Sequence, residues 1–220
     1  MKLWIGITDG DWHRYPRNKP GRDEVNFWQP SGKRQFRALE PGEPFLFKLH
    51  SPDNFIVGGG FFATSSILPS SLAWQIFGEK NGATDFAQMR ARIERYRRVE
   101  PNRLEDYSIG CTILHAPFFF DRPEWIPVPS DFKLNTQVGK TYDAAEGTGR
   151  DLWSEVGLRL DRSALPPLDE VRDAESFGPL FGDPTLIRPR LGQGSFRVVV
   201  TDTYRRRCAV TGEKALPALD

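Results

Sequence analysis

The sequence predicts an α+β domain built on a curved sheet or a small β-barrel with flanking helices. Three observations support this class: several segments have the two-residue period of strands, two helical stripes lie between them, and no βαβ rhythm is present. At 220 residues the chain is long enough for one large domain, or for one domain with an appendage, and for a buried core.

The chain begins with an apolar strand and a long aromatic segment. LWIGIT at 3–8 is rich in strand-forming residues and is followed by the turn signal DGD at 9–11. Between residues 12 and 37, prolines and glycines interrupt any hydrophobic periodicity of a helix or a strand. The sequence therefore predicts a polar loop that carries Trp12 and Trp28. Loops of this length in compact domains are usually functional or disordered, and the large rings argue against disorder.

A β-hairpin is predicted next. Its first arm, PFLFKLH at 44–50, alternates with the period of a strand that has one wetter face. Its second arm, FIVGGGFFAT at 55–64, contains three consecutive glycines, which weaken an ordinary strand. The glycines therefore predict a bulge, or a close approach by another backbone or a ligand, and this arm is a candidate pocket wall.

Two helices follow the hairpin. Ser70 and Ser71 are predicted to cap a short helix that ends at Gly78, and Thr84 to cap a longer helix that runs to about Arg98. The longer helix has an apolar stripe at spacings of three and four residues. Its other faces carry Arg90, Arg92, Arg95, Arg97 and Arg98. A face of this kind is more often solvated than bound to phosphate.

The remaining segments complete a predicted first domain, residues 1–160. A strand is predicted at 107–120, a glycine-broken turn at 134–142, and a last strand or extended segment at 152–160. Residues 161–189 are rich in proline and acidic side chains and are predicted to form a linker.

Charge is nearly balanced overall but is segregated along the chain. The formal net charge of +1 gives no general argument for nucleic-acid binding. Residues 1–37 nevertheless contain eight Lys or Arg against four Asp or Glu, and residues 187–214 contain seven against two. Local basic surfaces are therefore expected on a nearly neutral chain.

Signatures of catalysis and of cofactor binding are absent from the sequence. Cys111 and Cys208 are far apart and belong to no CxxC motif, so neither a disulfide framework nor a zinc site is expected. Residues 1–160 contain no P-loop, GxSxG, HExxH or dinucleotide fingerprint. The histidines are scattered over His13, His50 and His115. No cofactor is therefore expected in this chain.

Signals for export or membrane insertion are also absent. The N-terminus turns polar after seven residues, and no apolar stretch approaches the roughly 20 residues that a membrane span needs. Because two thiols without a disulfide framework are typical of a reducing compartment, a soluble cytoplasmic protein is expected.

The aromatic segment is the strongest candidate for a binding site. Trp12 and Trp28 lie near four polar residues in the sequence, Asp9, Asp11, His13 and Gln29. A planar base stacks on aromatic faces with roughly 1–3 kcal/mol per base, and Asp or Gln side chains can bind its Watson–Crick edge. One interpretation is a pocket for a flipped or unpaired nucleobase. The other is that both rings close one end of the barrel, and the sequence favours neither.

Two stretches resemble a known family. LWIGITDGDWHRY at 3–15 and PGEPFLFKLHSPDNFIVGGGFF at 41–62 resemble the opening of PUA-like domains of the EVE and ASCH kind. With QVGKTYD at 137–143, residues 1–160 look like the domain fused to HNH nucleases in bacterial restriction endonucleases. The resemblance implies recognition, by base flipping, of DNA with a modified cytosine such as 5-methylcytosine or 5-hydroxymethylcytosine.

The C-terminal segment, residues 190–220, resembles the lead-in of HNH endonucleases of this type. The resemblance implies a helix from about Gly192, where propensity alone favours a strand, and a turn at 208–212. One face of this helix would carry Phe196, Val199, Val200 and Tyr204. The catalytic His and Asn residues of the family have no match here, so the chain alone is expected to be inactive. A divalent metal is expected only in the part of the nuclease domain that is missing here. The alternative interpretation of residues 190–220 is a natural basic tail.

The resemblance also implies roles for single residues. Trp12 and Trp28 would form ring walls, and Asp9 or Asp11 would accept a hydrogen bond from an exocyclic amine. Further polar contacts would come from Ser65 and Ser66, and phosphate contacts from Lys33, Arg34, Arg37 and Lys140. Each phosphate contact adds to the salt dependence of binding. The implied partner is double-stranded DNA with modified bases, and a homodimer is possible because HNH restriction enzymes often act as dimers.

A second class of function stays open. The same aromatic pocket suits a sensor domain that binds a small ligand or a free nucleotide and gates a C-terminal nuclease. A basic surface around the pocket distinguishes the two, because a duplex reader needs it and a small-ligand sensor does not. A protein-interaction module is a third option, since PUA-like folds host several functions.

Overall fold

The computed structural model describes residues 1–17, 23–102, 104–133, 135–164 and 192–203. Within these ranges the strands are β1 (Lys2–Thr8), β2 (Glu24–Gln29), β3 (Pro44–Leu49), β4 (Phe55–Pro69), β5 (Ser108–Phe119), β6 (Ile126–Pro127) and β7 (Gly139–Asp143). The α-helices are α1 (Gly10–Arg17), α2 (Ser70–Phe77), α3 (Phe86–Arg97), α4 (Gly147–Ala164) and α5 (Gln193–Thr203). A 3-10 helix, Gly78–Asn81, follows α2 directly.

The strands form one curved mixed sheet. Its order is β2-β5-β4-β3-β1-β7, with β6 paired to β4. β1 and β3 run parallel, and the other described pairs are antiparallel. Although two strands separate β2 from β3, the ring centroid of Phe27 in β2 lies 4.7 Å from that of Phe45 in β3. The sheet therefore curls toward a barrel, and the predicted α+β class is confirmed.

Irregularities in β4 contribute to this curvature. The pairing of β4 with β5 shifts register between Gly59 and Phe61. Gly58 has a φ of +152°, and a Cβ atom at this position would clash with the carbonyl oxygen of Phe118 in β5. Bulges bend and twist a strand, and glycine permits the close approach of two backbones. The predicted bulge and backbone approach are thus confirmed.

Three clusters of buried hydrophobic side chains hold the elements together. The first, which includes Met89 and Ile109, lies between the sheet and helices α2 and α3. The second joins α4 to the sheet through contacts such as those of Val156 and Ile5. In the third, aromatic rings from α1, β2 and β3, including Phe47, fill the inside of the curve. This third cluster extends to the end of the sheet where β1 and β3 finish.

The predicted loop at 12–37 is wrong, because this segment contains α1 and β2. Asp9 starts α1, since its Oδ1 accepts a hydrogen bond from the backbone nitrogen of Trp12 at 2.5 Å, as an N-cap does. The rings of Trp12 and Phe27 then pack against each other with centroids 5.2 Å apart, and both are buried. Hydrophobic periodicity does not reveal elements this short, because α1 has only about two turns and β2 is a short strand buried on both faces.

The predicted last strand at 152–160 is also wrong, because these residues lie in α4. Leu152 and Val156, four residues apart, are both buried in the cluster that joins α4 to the sheet. A spacing of four places two side chains on one face of a helix. The predicted domain boundary at residue 160 consequently falls inside a helix.

The helix caps differ from the predicted ones. The hydroxyls of Ser70 and Ser71 donate hydrogen bonds to the carboxylate of Asp106 at 2.9 and 2.5 Å, and neither caps α2. Asp85, not Thr84, caps α3. Both helices nevertheless lie where the sequence predicts them.

β3 has no wetter face, in contrast to the prediction. All six of its residues are buried, and Lys48 is only 2% exposed. The Lys48 ammonium donates hydrogen bonds to the carbonyl oxygen of Leu49 and to Oδ1 of Asn54, both at 2.8 Å. Burial lowers the pKa of Lys48, because removal from water disfavours a charged amine.

α5 packs against the rest of the described chain. The helix that the family resemblance implied is confirmed by Gln193–Thr203. Its buried face differs from the implied one: Val198 is buried near α2, whereas Phe196 and Val199 are 59% and 37% exposed.

Some predictions fall on residues that the structure does not describe. These are the linker from 165 onward, Tyr204 and the turn at 208–212. The assignment of residues 190–220 to a nuclease domain stays a prediction. In the part of the chain that is described, no helix has both the length and the apolar composition to cross a membrane.

Candidate functional site

A cleft of about 390 Å³ lies at the end of the sheet where β1 and β3 finish. Its walls come from the β1–α1 junction, α1, the end of β2, the residue after β3, α3 and the residues before β7. The side chains that define it include Asp9, Trp12, Trp28, Gln29, His50 and Tyr96. The fold thus brings together Asp9, Trp12, Trp28 and Gln29, which the sequence placed in one candidate site.

Trp12 forms the floor of the cleft and is also part of the core. It is 4% exposed, and its ring packs edge-on against Phe27 and Phe47 at centroid distances of 5.2 and 5.1 Å. Gly82 lies against its other side, since a Cβ atom there would come within 2.6 Å of the indole nitrogen. Trp12 therefore packs into the aromatic interior of the sheet and also lines the cleft.

Trp28 forms a rigid wall. Its half-buried indole donates a hydrogen bond from Nε1 to the carbonyl oxygen of Asn81 at 2.9 Å. Asn81 is fully buried, and its side chain accepts from Asn26 at 2.8 Å and donates to the carbonyl oxygen of Gly78 at 2.8 Å. The ring of Trp28 is therefore fixed before any ligand enters.

Asp9 forms an acidic corner of the cleft. Its Oδ1 caps α1, and its Oδ2 accepts a hydrogen bond from the hydroxyl of Tyr96 in α3. Burial, together with the neighbouring Asp9 carboxylate, raises the pKa of Tyr96 to about 12. Tyr96 therefore stays a protonated donor at neutral pH, and the remaining lone pairs of Asp9 can accept from a ligand.

The rim of the cleft adds neutral polar groups. Partial burial lowers the pKa of His50, with a further decrease from Lys48 that Asp9 opposes. His50 is therefore mostly neutral at pH 7, with one donor and one acceptor nitrogen. The half-buried amide of Gln29 also offers both a donor and an acceptor. Such a set suits the mixed donor and acceptor edge of a heterocycle.

Three of the predicted contacts lie outside this cleft. Asp11 is exposed and forms an ion pair with Arg14 at 2.7 Å. Ser65 is buried in β4, where its hydroxyl donates to the carbonyl oxygen of Phe36 at 2.7 Å, and Ser66 is buried beside it. The glycines of β4 likewise lie outside the lining, so this arm is not a wall of this cleft.

The predicted phosphate contacts divide into two groups. Lys140 forms an ion pair with Asp131 at 2.6 Å, and this hydrogen bond raises the pKa of Lys140. Lys33, Arg34 and Arg37 are exposed on the connection between β2 and β3, and no ion pair joins them to another described side chain. This connection starts at the cleft, because Ser31 lines the cleft and its hydroxyl accepts from the backbone nitrogen of Lys33 at 3.3 Å.

Sequence reasoning missed His50 and Tyr96 as members of the site. Tyr96 contacts Asp9 across 87 positions of the chain. In the sequence it belongs to the apolar stripe of the longer helix, with Phe86, Met89 and Ile93, and so has the signature of a core residue. His50 was noted only as a scattered histidine. Among the described residues, no group of three or more His, Cys, Asp or Glu side chains could hold a metal ion.

Comparisons with known proteins give a weak structural likeness. No protein-family model matches the sequence, and no curated protein matches it. Two crystal structures of mutants of ZmASCH, a protein from Zymomonas mobilis, are similar to this structure. The alignment with the first, at 9% identity and a TM-score of 0.45, spans 70% of this chain and 98% of the ZmASCH chain. The alignment with the second, at 9% identity and a TM-score of 0.43, spans 69% of this chain and 94% of the ZmASCH chain. At this similarity neither function nor residue roles pass to this chain.

Proposed function

We propose that the cleft binds a single unstacked base of a nucleic acid, with a modified cytosine in double-stranded DNA as the preferred substrate. The observation that carries the proposal is the convergence of Trp12, Trp28, Asp9 and Gln29 on one cleft. These residues come from the start of α1 and the end of β2 and supply aromatic surface together with hydrogen-bonding groups. A volume of about 390 Å³ lies at the lower end of ligand pockets, which suits one base better than a larger ligand.

Each side chain has a distinct role in this proposal. Trp28 offers a fixed surface for stacking, which contributes roughly 1–3 kcal/mol per base. Asp9 accepts a hydrogen bond from the exocyclic amine of cytosine, and Gln29 binds the rest of the Watson–Crick edge. Because Trp12 and Phe27 already pack against each other, the floor does not rearrange when the base enters.

The finer parts of the proposal come from the sequence. The likeness of residues 3–15 and 41–62 to PUA-like domains supports base recognition, and that of residues 190–220 to HNH endonucleases supports a nuclease as the coupled activity. Lys33, Arg34 and Arg37, which are exposed on the connection that starts at the cleft, are candidates for contacts with the flanking phosphates.

Binding to duplexes that differ at one base tests the proposal. The duplexes carry cytosine, 5-methylcytosine or 5-hydroxymethylcytosine at one position, and affinities are measured for wild-type protein and for Trp28→Ala. We expect one modified duplex to bind most tightly, and Trp28→Ala to weaken that binding by about tenfold or more through lost stacking.

A matched control separates recognition from stability. Trp153 in α4 is also half-buried but packs against Phe61 and takes no part in the cleft. Trp153→Ala should leave the relative affinities of the duplexes unchanged. Equal affinity for all duplexes, combined with no loss in Trp28→Ala, would contradict the proposal.

One observation favours a sensor as the second candidate. The 3-10 helix Gly78–Asn81 contacts the cleft through Asn81, whose carbonyl oxygen accepts from Trp28. Its Lys80 donates to Glu24 at 3.1 Å, and Glu24 accepts from the backbone nitrogens at the start of α5. A ligand that contacts Trp28 is therefore connected to the C-terminal helix through this 3-10 helix. Binding that is insensitive to salt and to replacement of Lys33, Arg34 and Arg37 would favour this sensor over a duplex reader.

A further inference from the structure

The arginines of α3 divide into structural and available groups. Arg90 forms an ion pair with Glu94 at 3.1 Å and lies 4.8 Å from the ring of Tyr107. Arg97 donates to the carbonyl oxygens of Pro30 and Ser108 at 2.7 and 2.5 Å. The donors of these two side chains are therefore used to hold α3 on the fold.

Arg92 and Arg95 instead line an open groove beside α1 and α3, together with Asp11, Gln88 and Ala91. Arg92 is held in place, because it donates to the carbonyl oxygen of Gly82 at 2.7 Å and to Oε1 of Gln88 at 3.2 Å. The side chain of Arg95 is 58% exposed, and its nearest carboxylate oxygen, in Asp9, is 3.8 Å away. Arg95 thus keeps donors for a ligand.

The groove adjoins the cleft at Asp9 and Tyr96. Both of these residues line the cleft, while the guanidinium of Arg95 lies 5.1 Å from the ring centroid of Tyr96 and close to Asp9. A nucleotide whose base occupies the cleft would have its sugar and phosphates outside. On the side of Asp9 and Tyr96, those groups would reach the groove.

We propose that this groove binds a backbone phosphate next to the base in the cleft, with Arg95 as the principal contact and Arg92 beside it. The proposal rests on the proposed function, whose cleft it extends. A planar guanidinium suits bidentate contact with a phosphate. The lining of the groove carries two arginines against one acid, Asp11, and Asp11 is itself paired with Arg14.

Replacement of Arg95 by glutamine tests the proposal. The probes are the modified duplex that binds wild-type protein most tightly and the free 5-methyl-2′-deoxycytidine and 5-hydroxymethyl-2′-deoxycytidine nucleosides, which have no phosphate. Arg95→Gln should weaken duplex binding about tenfold, and reduce the slope of log K against log salt by about one. Nucleoside binding should stay unchanged, and Arg95→Lys should preserve the slope.

Two controls define what counts as a specific effect. Arg98 is exposed, lies directly after α3 and is outside the groove, so Arg98→Gln removes the same charge without removing the contact. Tyr96→Phe removes the hydrogen bond to Asp9 while Arg95 remains. Tyr96→Phe should therefore retain the salt slope, which an indirect effect through Asp9 would change.

The outcomes separate this proposal from the function on which it rests. Equal losses in Arg95→Gln and Arg98→Gln would overturn the phosphate site, and the base cleft would stand if Trp28→Ala still weakened binding. A specific loss in Arg95→Gln without one in Trp28→Ala would support the phosphate contact and contradict the base cleft. A wild-type protein that binds none of the duplexes would contradict both.

Discussion

Asp9 connects three features of the site through one carboxylate. It caps α1 through Oδ1, accepts from Tyr96 through Oδ2, and lies 3.8 Å from Arg95. Asparagine also caps helices well, so a substitution at this position can remove the charge and keep the helix start. The residue therefore allows the electrostatics of the cleft to be changed without disrupting its fold.

Asp9→Asn should lower the pKa of Tyr96 below its value of about 12. Burial still raises that pKa in the variant, but the negative charge that disfavours the tyrosinate is gone. The titration of Tyr96 can be followed by its ultraviolet absorbance, with Tyr96→Phe to identify the signal. An unchanged titration would show that Asp9 and Tyr96 do not interact in solution.

The residues of the site were predictable to different degrees. Trp12 and Trp28 stood out because large rings in a segment broken by proline and glycine are unusual, and Asp9 was close to them in sequence. His50 and Tyr96 enter the cleft only through the tertiary fold. Ser65 and Ser66 were placed by position in a family pattern, yet both are buried in β4.

At the scale of elements, the anchoring of α5 is the most specific contact. Glu24 in β2 is fully buried and accepts hydrogen bonds from the backbone nitrogens of Gly194 and Ser195 at 2.9 and 3.0 Å. The hydroxyl of Ser195 donates to the same carboxylate at 2.7 Å. A carboxylate at a helix N-terminus satisfies donors that have no partner within the helix, so β2 supplies the cap of α5.

Gly194→Ala should release α5 from β2. A Cβ atom at Gly194 would lie 2.5 Å from the ring of Phe77 and 2.6 Å from Glu24, which is too close for any neighbour to tolerate without moving. Hydrogen exchange at residues 193–203 should accelerate while exchange in β3 and β4 stays slow. Gly157→Ala in α4 is the matched control, because nothing lies within 4 Å of the added methyl group and alanine favours a helix. Unchanged exchange in Gly194→Ala would contradict this anchoring.

Anchoring of α5 should also depend on pH. Burial raises the pKa of Glu24, but hydrogen bonds from Ser195 and Lys80 outweigh this effect, so the pKa lies below the ordinary 4.5. A lowered carboxyl pKa stabilises the folded state fully above the unfolded value, and this contribution disappears as pH falls through the folded value. We expect α5 to lose protection below about pH 4.5, and Glu24→Gln to remove this pH dependence. A wild-type protection that is constant through this range would contradict it.

Elements with clear periods were predicted well, whereas short or fully buried ones were not, and the turn predicted at 134–142 contains most of the strand β7. β1, the hairpin of β3 and β4, α2, α3 and β5 all appear near their predicted positions. α1 has only eight residues, and β2 is buried on both faces at its start, so neither shows a readable period. Residues 152–160 were predicted to form a last strand or extended segment, whereas Leu152 and Val156 share one buried face of α4.

At the scale of the whole molecule, the curvature of the sheet creates the cleft. Curling brings β2 against β3, so that Trp12 seals the aromatic interior and leaves space beside the ends of β1 and β3. The bulges in β4 could be predicted from its glycines, whereas the amount of curvature depends on contacts between distant residues. The class of fold was therefore predictable, and the exact walls of the cleft were not.

The cleft and the C-terminal helix are joined through the same strand and the same short helix. β2 carries Glu24 at one end and Trp28 at the other, and the 3-10 helix Gly78–Asn81 contacts both through Lys80 and Asn81. Rigid links of this kind can carry energetic coupling only if both sites bias one two-state element. Exchange at α5 with and without a bound duplex would measure that coupling.

A structure of the protein bound to a duplex with one modified cytosine would show whether the cleft takes up a flipped base. We expect the modified base to leave the double helix and enter the cleft, with its ring on Trp28 and its exocyclic amine directed at Asp9. A complex in which the cytosine stays stacked in the duplex, and the cleft of Trp12 and Trp28 holds no base, would contradict it.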